Sequence, residues 1–441
     1  MTSEPRPIVV VGGGFGGAGL VRALQRRLPP GHKLWLISEE SYTTFNPMLP
    51  EAVGASIFPE HVVAPLRELV RVDQGHRFIM ARVTGVDLAN QRLDCDTLAG
   101  PLSVRYEHLV LAIGNRARTD LLPGMAEHAR VLKTVGDAMD IRNTVLRRLA
   151  EAELRPEAQA SLAHFVVVGG GFSGVEVAGE LVDCLHSIAH YYPGVAREQL
   201  RVSIVHDGPR LLPELPEALG AAALASLQAR GVQICLGAKA QSVSAEGLSL
   251  LDATGQPQQL RSATVVCTVG TRPNALLASL GQPMERSRLC TRPDMRLVEQ
   301  ERVWALGDCA AVPNGATGTP CPPTAQFATR QAAVLASNLL ATLRGSATQA
   351  FAHEAVGMMA AIGHMKGVAQ VGPLRLSGLP AWLLWRAYYL LQMPTFGRKL
   401  RIFVEWTWGM FFPADITHLR FTRSGGLDAS PAPHERGGPA P

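Results

Sequence analysis

Apolar and polar residues follow one another in this chain in a pattern that recurs. Val9 to Leu24 reads VVVGGGFGGAGLVRAL and Val166 to Leu181 reads VVVGGGFSGVEVAGEL, with nine of sixteen positions identical. Each copy is a β-branched run, a glycine cluster, and then a stretch with helical patterning. The pattern predicts strand, tight turn and helix, twice over. Lys33 to Ile37 and Arg201 to Val205 read as the second strand after each copy. Residues 104–114, 264–274 and 302–311 read as buried strands ending at small residues, and Gly136 to Glu153 reads as a helix. Strands that alternate with helices imply an α/β fold on parallel sheets.

The glycines turn this pattern into chemistry. GxGxxG between a strand and a helix is the arrangement of a Rossmann dinucleotide-binding turn. Gly12 and Gly169 permit the turn, and Gly14 and Gly171 let the backbone approach a pyrophosphate. Gly17 and Gly174 let the helix pack closely on its strand, and Gly16 completes the first glycine cluster. The helix N-terminus offers unpaired N–H groups and a positive dipole end to the phosphates. One such turn is weak evidence, because glycine-rich turns also serve as plain connections; two in matching context are strong. Each copy should also present an acid near the end of its second strand for the adenosine ribose. Glu39 or Glu40 follows the first such strand, and Asp207 the second. His206 precedes Asp207 and would tolerate a 2′-phosphate, so NADH is favoured and NADPH stays open.

Composition narrows the class. A chain of 441 residues, 47% apolar and 18% charged, implies two or three globular domains. The net charge of +5 is spread without a Lys/Arg run, so nucleic acid is not an expected partner. Seven cysteines form no CxxC or CxxxxC pair, which supports neither a metal site nor a dithiol centre and points to a reducing compartment. The first strand begins by Ile8, leaving no room for a signal peptide, and no apolar run reaches the ~18 residues of a spanning helix. The chain is expected in the cytosol, or on a membrane without crossing it. The economical organisation puts a first module at 1–118, an inserted second module at 119–270, and the rest of the first at 271–345. A basic, aromatic segment follows over 346–423, and a Pro- and Gly-rich tail over 424–441 is expected to be disordered.

Further motifs stand between and after the glycine turns: YTTFNPMLPEAVGA (42–55), YEHLVLAIG (106–114), WALGDCA (304–310), PPTAQFATRQA (322–332) and an aromatic block over 378–419. With the two turns they resemble the two-dinucleotide flavoproteins that include glutathione reductase. Within that group the match is to the type II NADH dehydrogenases, single-subunit NADH:quinone oxidoreductases that do not pump protons. The resemblance runs from Ile8 to about Phe421. It implies a glutathione-reductase-like fold, FAD on the Gly12 module, NADH on the Gly169 module, and a quinone as acceptor. It implies that the segment of Phe45 and Pro47 borders the isoalloxazine and that Ala112 and Gly114 form the turn closing the first half of the FAD domain. Gly270 ends the equivalent strand of the second module. Asp308 would reach the flavin ribityl and phosphate region. Ala325 and Gln326 would open a helix, capped by Thr324, whose dipole favours the negative charge of a reduced flavin.

Three positions carry two readings each. Glu176 is either a carboxylate near the nicotinamide and acceptor cavity, as the resemblance implies, or a first-turn acid complementing the helix dipole. Arg330 stands where the family often has Gln in an AQxAxQ pattern, and the second glutamine here, Gln331, points about 100° further round the helix. Arg330 is then either a group beside the flavin or quinone, or a solvated surface charge. The block at 378–419 carries Trp382, Trp385, Trp406 and Trp408 among Arg386, Arg398, Lys399 and Arg401. Its pieces are too short to span a bilayer, so it reads as a monotopic anchor on the cytoplasmic face. The alternative is a core-packing or homodimer-forming helical pair. Two other functions remain: the same nucleotides with a non-quinone acceptor, and a flavin-bearing sensor that NADH fails to reduce.

Overall fold

The computed structural model describes residues 6–419 except 356, 394 and 413, so the 424–441 tail and Pro394 lie outside the described residues. The first sheet has seven strands in the order Val303–Ala305, His108–Leu111, Ile8–Val11, Leu34–Ser38, Arg77–Asp87, Arg92–Thr97 and Gly100–Arg105. Its first five strands run parallel. Ile8, Val9 and Val10 have no exposed surface, as a parallel strand covered on both faces requires. Ile8–Val11 pairs with a later strand on each side, so the strand order reverses there and opens a crevice at its carboxyl end. Helix α1 (Phe15–Leu24) leaves from that end, and a short helix α2 (Leu49–Val53) follows the second strand.

The second sheet repeats the plan with five parallel strands: Ala129–Val131, Thr264–Cys267, His164–Val168, Arg201–His206 and Gln233–Leu236. Helix α3 (Val135–Leu154) begins at a capping box in which Thr134 and Asp137 each bond the other's backbone N–H. Helix α4 (Phe172–Ile188) leaves from the reversal point, as α1 does in the first sheet. Asn115–Ala117 pairs antiparallel with Thr271–Pro273 in a ribbon. Helix α5 (Ala325–Leu343) then packs on α1, where a Cβ on Gly19 would sit 3.3 Å from the Ala332 methyl.

The C-terminal part departs from the expected pair of membrane-facing helices. It opens with an antiparallel sheet of Gly357–Ala361, Gly367–Val371 and Leu374–Ser377. Two helices follow, α6 (Leu379–Gln392) and α7 (Phe396–Gly409). Trp382, Trp385 and Trp406 are buried in protein, and of the four tryptophans of this block only Trp408 is exposed, at 62%. The helix pair is therefore a core-packing element as well as a surface one. Glycine again permits the contact with α4: a Cβ on Gly179 would lie 2.2 Å from the Ile362 carbonyl oxygen.

Three strand expectations need correction. Residues 264–274 split into Thr264–Cys267 of the parallel sheet and Thr271–Pro273 of the ribbon, with Gly270 turning the chain between them. Residues 104–114 are not one strand: Gly100–Arg105 ends before Tyr106, and His108–Leu111 belongs to the parallel part of the sheet. The stretch 302–311 breaks after Ala305 into a 3-10 turn at Gly307–Cys309.

Candidate active site

Both glycine turns have the geometry of a pyrophosphate cradle. Gly12 has φ +106°, and a Cβ there would meet the Ala112 carbonyl oxygen at 2.3 Å. On Gly17 a Cβ would lie 1.8 Å from the Gly12 oxygen. The second turn matches, with Gly169 at φ +120° and a Gly174 Cβ 1.9 Å from the Gly169 oxygen. By contrast, a Cβ on Gly14 would have no neighbour within 4 Å, and one on Gly171 only the Glu214 side chain at 3.9 Å. The glycines needed for folding and the glycine that faces open space are thus different residues. Neither α1 nor α4 has a side-chain N-cap, so their first N–H groups are free for a phosphate. On the other flank, Gly16 packs on Leu306, and Gly114 and Gly270 turn the chain at φ +61° and +81°.

Strand register shows which side chains face each cradle. Val11 pairs with Ile37 and Val168 with Val205, so Ser38 and His206 are equivalent, and so are Glu39 and Asp207. Ser38 and His206 are the residues against the turn: a Cβ on Gly13 would meet Ser38 Oγ at 2.9 Å, and one on Gly170 the His206 ring at 2.6 Å. Glu39, the next residue, accepts hydrogen bonds from Arg82 Nε at 3.1 Å and Arg116 Nη2 at 2.7 Å. Burial opposes its ionisation, yet the two arginines hold its carboxyl below the usual range. Asp207 is 79% exposed, 3.3 Å from His206 Nδ1.

Around the first crevice, Pro47 lies in a single 3-10 turn, Asn46–Met48, that begins after the buried Phe45. The Phe45 ring packs edge-on against Phe15 at 5.2 Å and Tyr389 at 5.6 Å. Asp308 accepts from Asn115 Nδ2 at 3.1 Å. Burial raises its carboxyl above the usual range although Lys133 and Arg288 pull the other way. Asn115 Oδ1 is buried without a partner, an acceptor that a hydroxyl-bearing ligand would satisfy. Thr324 caps α5 by accepting from the Phe327 N–H at 3.5 Å, which leaves Ala325 and Gln326 half-buried at its start. Gln331 is turned inward, its Oε1 accepting from the Gly307 N–H at 2.7 Å, and it fixes the turn that carries Asp308. Arg330 is exposed on the same helix.

Glu176 is not a first-turn residue: α4 starts at Phe172 and has no acid in its first turn. Its side chain is buried and accepts from the Ala361 N–H at 3.2 Å. Burial first, and then Glu51 and Glu180, raise its carboxyl well above the usual range. Complementing the helix dipole therefore does not explain it. Tyr389 ties it to the Phe45 side, since burial and the charge of Glu176 raise the Tyr389 phenol.

The structure adds residues that sequence reasoning missed. Glu51 on α2 is 2% exposed, accepts from Trp406 Nε1 at 2.9 Å and lies 3.5 Å from Arg386 Nη2. The Arg386 guanidinium is stacked 3.6 Å from the Trp382 ring centre and 4.7 Å from that of Trp406. Glu180, one turn after Glu176, is buried and accepts from Ser56 Oγ at 2.6 Å. A signal was present: Glu176 and Glu180 stand four apart with only apolar residues and glycine between them.

Comparison with known proteins fits this geometry. The family described as pyridine nucleotide-disulphide oxidoreductase matches residues 6–332. The chain belongs to that family. This oxidoreductase is 29% identical over 411 residues to a type II NADH:quinone oxidoreductase of Mycobacterium tuberculosis, covering 91% of this chain and 87% of that one. A type II NADH:quinone oxidoreductase of Staphylococcus epidermidis is 27% identical, over 87% of this chain and 94% of its own. Among solved structures, NDH2 of Plasmodium falciparum in complex with NADH superposes with a TM-score of 0.87 at 17% identity, covering 93% and 99% of the two chains. The sulfide:quinone oxidoreductase of Aquifex aeolicus does so at 0.70 and 17%, covering 91% and 96%. The α/β class with two Rossmann-type sheets is borne out, as is the resemblance drawn from the motifs. Despite the family's name, the seven cysteines are free thiols.

Proposed function

We propose that this chain is a type II NADH:quinone oxidoreductase that works on a membrane surface. The observation that carries the reading is a pair of matching cradles, with buried Glu176 on the helix of the second and half-buried Tyr389 reaching the Phe45 segment of the first. In this reading the chain divides at about 118 and 270. Gly12, Gly14, Gly16 and Gly17 hold the FAD pyrophosphate, Asp308 and Asn115 its ribityl hydroxyls, and Phe45 and Pro47 border its ring. Ala112 and Gly114 close that crevice, and Glu39, held by Arg82 and Arg116, takes the adenosine ribose. FAD, when bound, supplies the two-electron relay between nicotinamide and quinone. Gly169, Gly171, Gly174 and Gly270 hold NADH, with Asp207 at its ribose. The N-terminus of α5, through Ala325 and Gln326, aims a positive dipole end at the flavin edge. Arg330, four residues from Gln326 on the same helix, adds a cation at the mouth of the site. Glu176 holds a proton where the acceptor is reduced, since its buried carboxyl favours the neutral form.

The exposed face of α7 supports the membrane-surface part of this reading. Phe396, Leu400, Phe403, Val404 and Trp408 recur at helical spacing and are each more than half exposed, beside Arg398, Lys399 and Arg401. No helix among the described residues is long and apolar enough to cross a membrane. An apolar face with flanking cations suits shallow insertion at the headgroups of the cytoplasmic face. The test is anaerobic: NADH is added to the purified flavoprotein, and a ubiquinone or menaquinone analogue follows. Bleaching of the flavin by NADH and its return with quinone are expected. A flavin that NADH fails to bleach, or that quinone leaves reduced, contradicts the reading.

A further inference from the structure

The function proposed above needs a proton that neither substrate brings. NADH, one proton and a quinone give NAD+ and a quinol: the hydride carries two electrons and one proton, and the second proton comes from water. Glu176 lies beneath the sheet of Gly357–Ala361 with 8% of its surface exposed, so a bound acceptor would cover what remains and a second route must bring it protons.

Three carboxylates, Glu51, Glu176 and Glu180, are buried where α2, α4 and α6 meet, with Arg386 as the cation among them. One guanidinium cannot balance three carboxylates in a dry site, so the cluster holds protons. Glu180 is placed to exchange one. Its Cβ is about 6 Å from that of Glu176, one turn away on the same helix face. On its other side it accepts from Ser56 Oγ at 2.6 Å. The fit is tight, since a Cβ on Gly54 would lie 2.7 Å from Glu180 Oε2. Ser56 lines a cleft of about 590 Å³, together with Asp183, His364, Lys366 and Glu405. Exposed His186 of α4 is also among its lining residues, so water reaches the cleft.

We propose that Ser56 and Glu180 carry the second proton from this cleft to Glu176, from which it passes to the quinone oxygen. The step breaks the O–H bond of the Glu180 carboxyl and forms one on Glu176, and Ser56 restores the proton by accepting one from cleft water as it donates its own. The proposal rests on the quinone reading above. Charge favours it: burial first and Glu51 next push Glu180 up to about 8, where it both takes and gives protons near neutral pH. The groups that face it are Glu51 from α2, Arg386 from α6, and Glu176, Asp183 and Cys184 of its own helix, with Glu405 of α7 acting on Glu51.

Glu180→Gln and Ser56→Ala, made in the full FAD-loaded chain, test this in two readouts. In infrared spectra the wild type should show a protonated-carboxyl band near neutral pH, and Glu180→Gln should lose one component of it. In anaerobic rapid mixing both variants should bleach with NADH at the wild-type rate. Reoxidation by quinone should slow by about tenfold in each, with a larger effect of deuterated water. The Glu180→Gln profile should also lose its limb near pH 8. Ser56→Ala keeps every buried carboxylate, so it decides the matter if Glu180→Gln folds poorly. A wild type that turns over with quinone beside variants with the same reoxidation rate and pH profile overturns the relay alone. A wild-type flavin that NADH reduces but quinone does not reoxidise overturns the relay and the function together.

Discussion

Helices α1 and α4 begin from the same glycine turn and end in different environments. Up to their first turns the two copies obey one set of constraints: a left-handed glycine, a glycine facing open space, and a glycine pressed on a carbonyl. After that they diverge. Where α1 has Gly19 and Ala23, α4 has Glu176 and Glu180. The α1 face is small and apolar and lies flush against Ala332 of α5. The α4 face is acidic and lies under the C-terminal sheet and α6, where its carboxylates meet Ala361, Ser56, Glu51 and Arg386. Binding a dinucleotide needs only the turn. The helix face behind the turn is free to change, and in the second copy it has become a buried acidic face.

The comparison breaks most severely at the shared glycines. Gly17→Val should yield protein without FAD. Gly174→Val should retain the flavin but lose at least about a hundredfold in kcat/KM for NADH, because each side chain would occupy a backbone carbonyl's space. Flavin content and steady-state kinetics check both. Equal effects of the two substitutions on flavin content would contradict the division of roles.

Arg386→Leu sharpens the acidic side. It leaves Glu51 buried without its cation and should destabilise the protein by about 3–5 kcal/mol in denaturant unfolding. Adding Glu51→Gln should recover most of that loss. Next comes pH. Glu180 binds its proton more tightly folded than unfolded, so its contribution to stability is complete below the ordinary carboxylate range and is lost as pH rises through about 8. Glu51 and Glu176 act in the same direction. The Tm of the wild type should fall over that window, and Glu180→Gln should flatten part of the fall. The smallest effect is expected at the adenosine end. Asp207→Ala should lower kcat/KM for NADH by about threefold to tenfold and narrow the gap to NADPH, because exposed Asp207 has no structural task and His206 fills the place against the turn.

The sheets and cradles were legible because they depend on local order: a β-branched run, glycines at fixed offsets, and a helical period. The strand break after Ala305 was not, since apolar residues resume at Cys309–Ala311, and the break at Tyr106 is marked only by the polar Arg105, Glu107 and His108 around it. The C-terminal block shows another limit. Its composition suggests an interface, but Trp382, Trp385, Arg386 and Tyr389 recur at the spacing of one buried helix stripe. That period was available in the sequence and outweighs the aromatic count. The Glu51–Arg386 pair was beyond reach, because its partners come from opposite ends of the chain and meet only after both packing surfaces form. Gln331, displaced from the family's spacing, proved to be the residue that fixes Gly307, a role only the folded turn reveals.

The central claim is that the acidic face of α4 serves the acceptor while the turn before it serves the nicotinamide. Glu176→Gln in single-turnover mixing tests it most directly. Bleaching of the flavin by NADH should stay within about threefold of the wild type, and reoxidation by quinone should slow by about a hundredfold. A variant that reoxidises at the wild-type rate, or one that loses bleaching and reoxidation equally, would contradict the account.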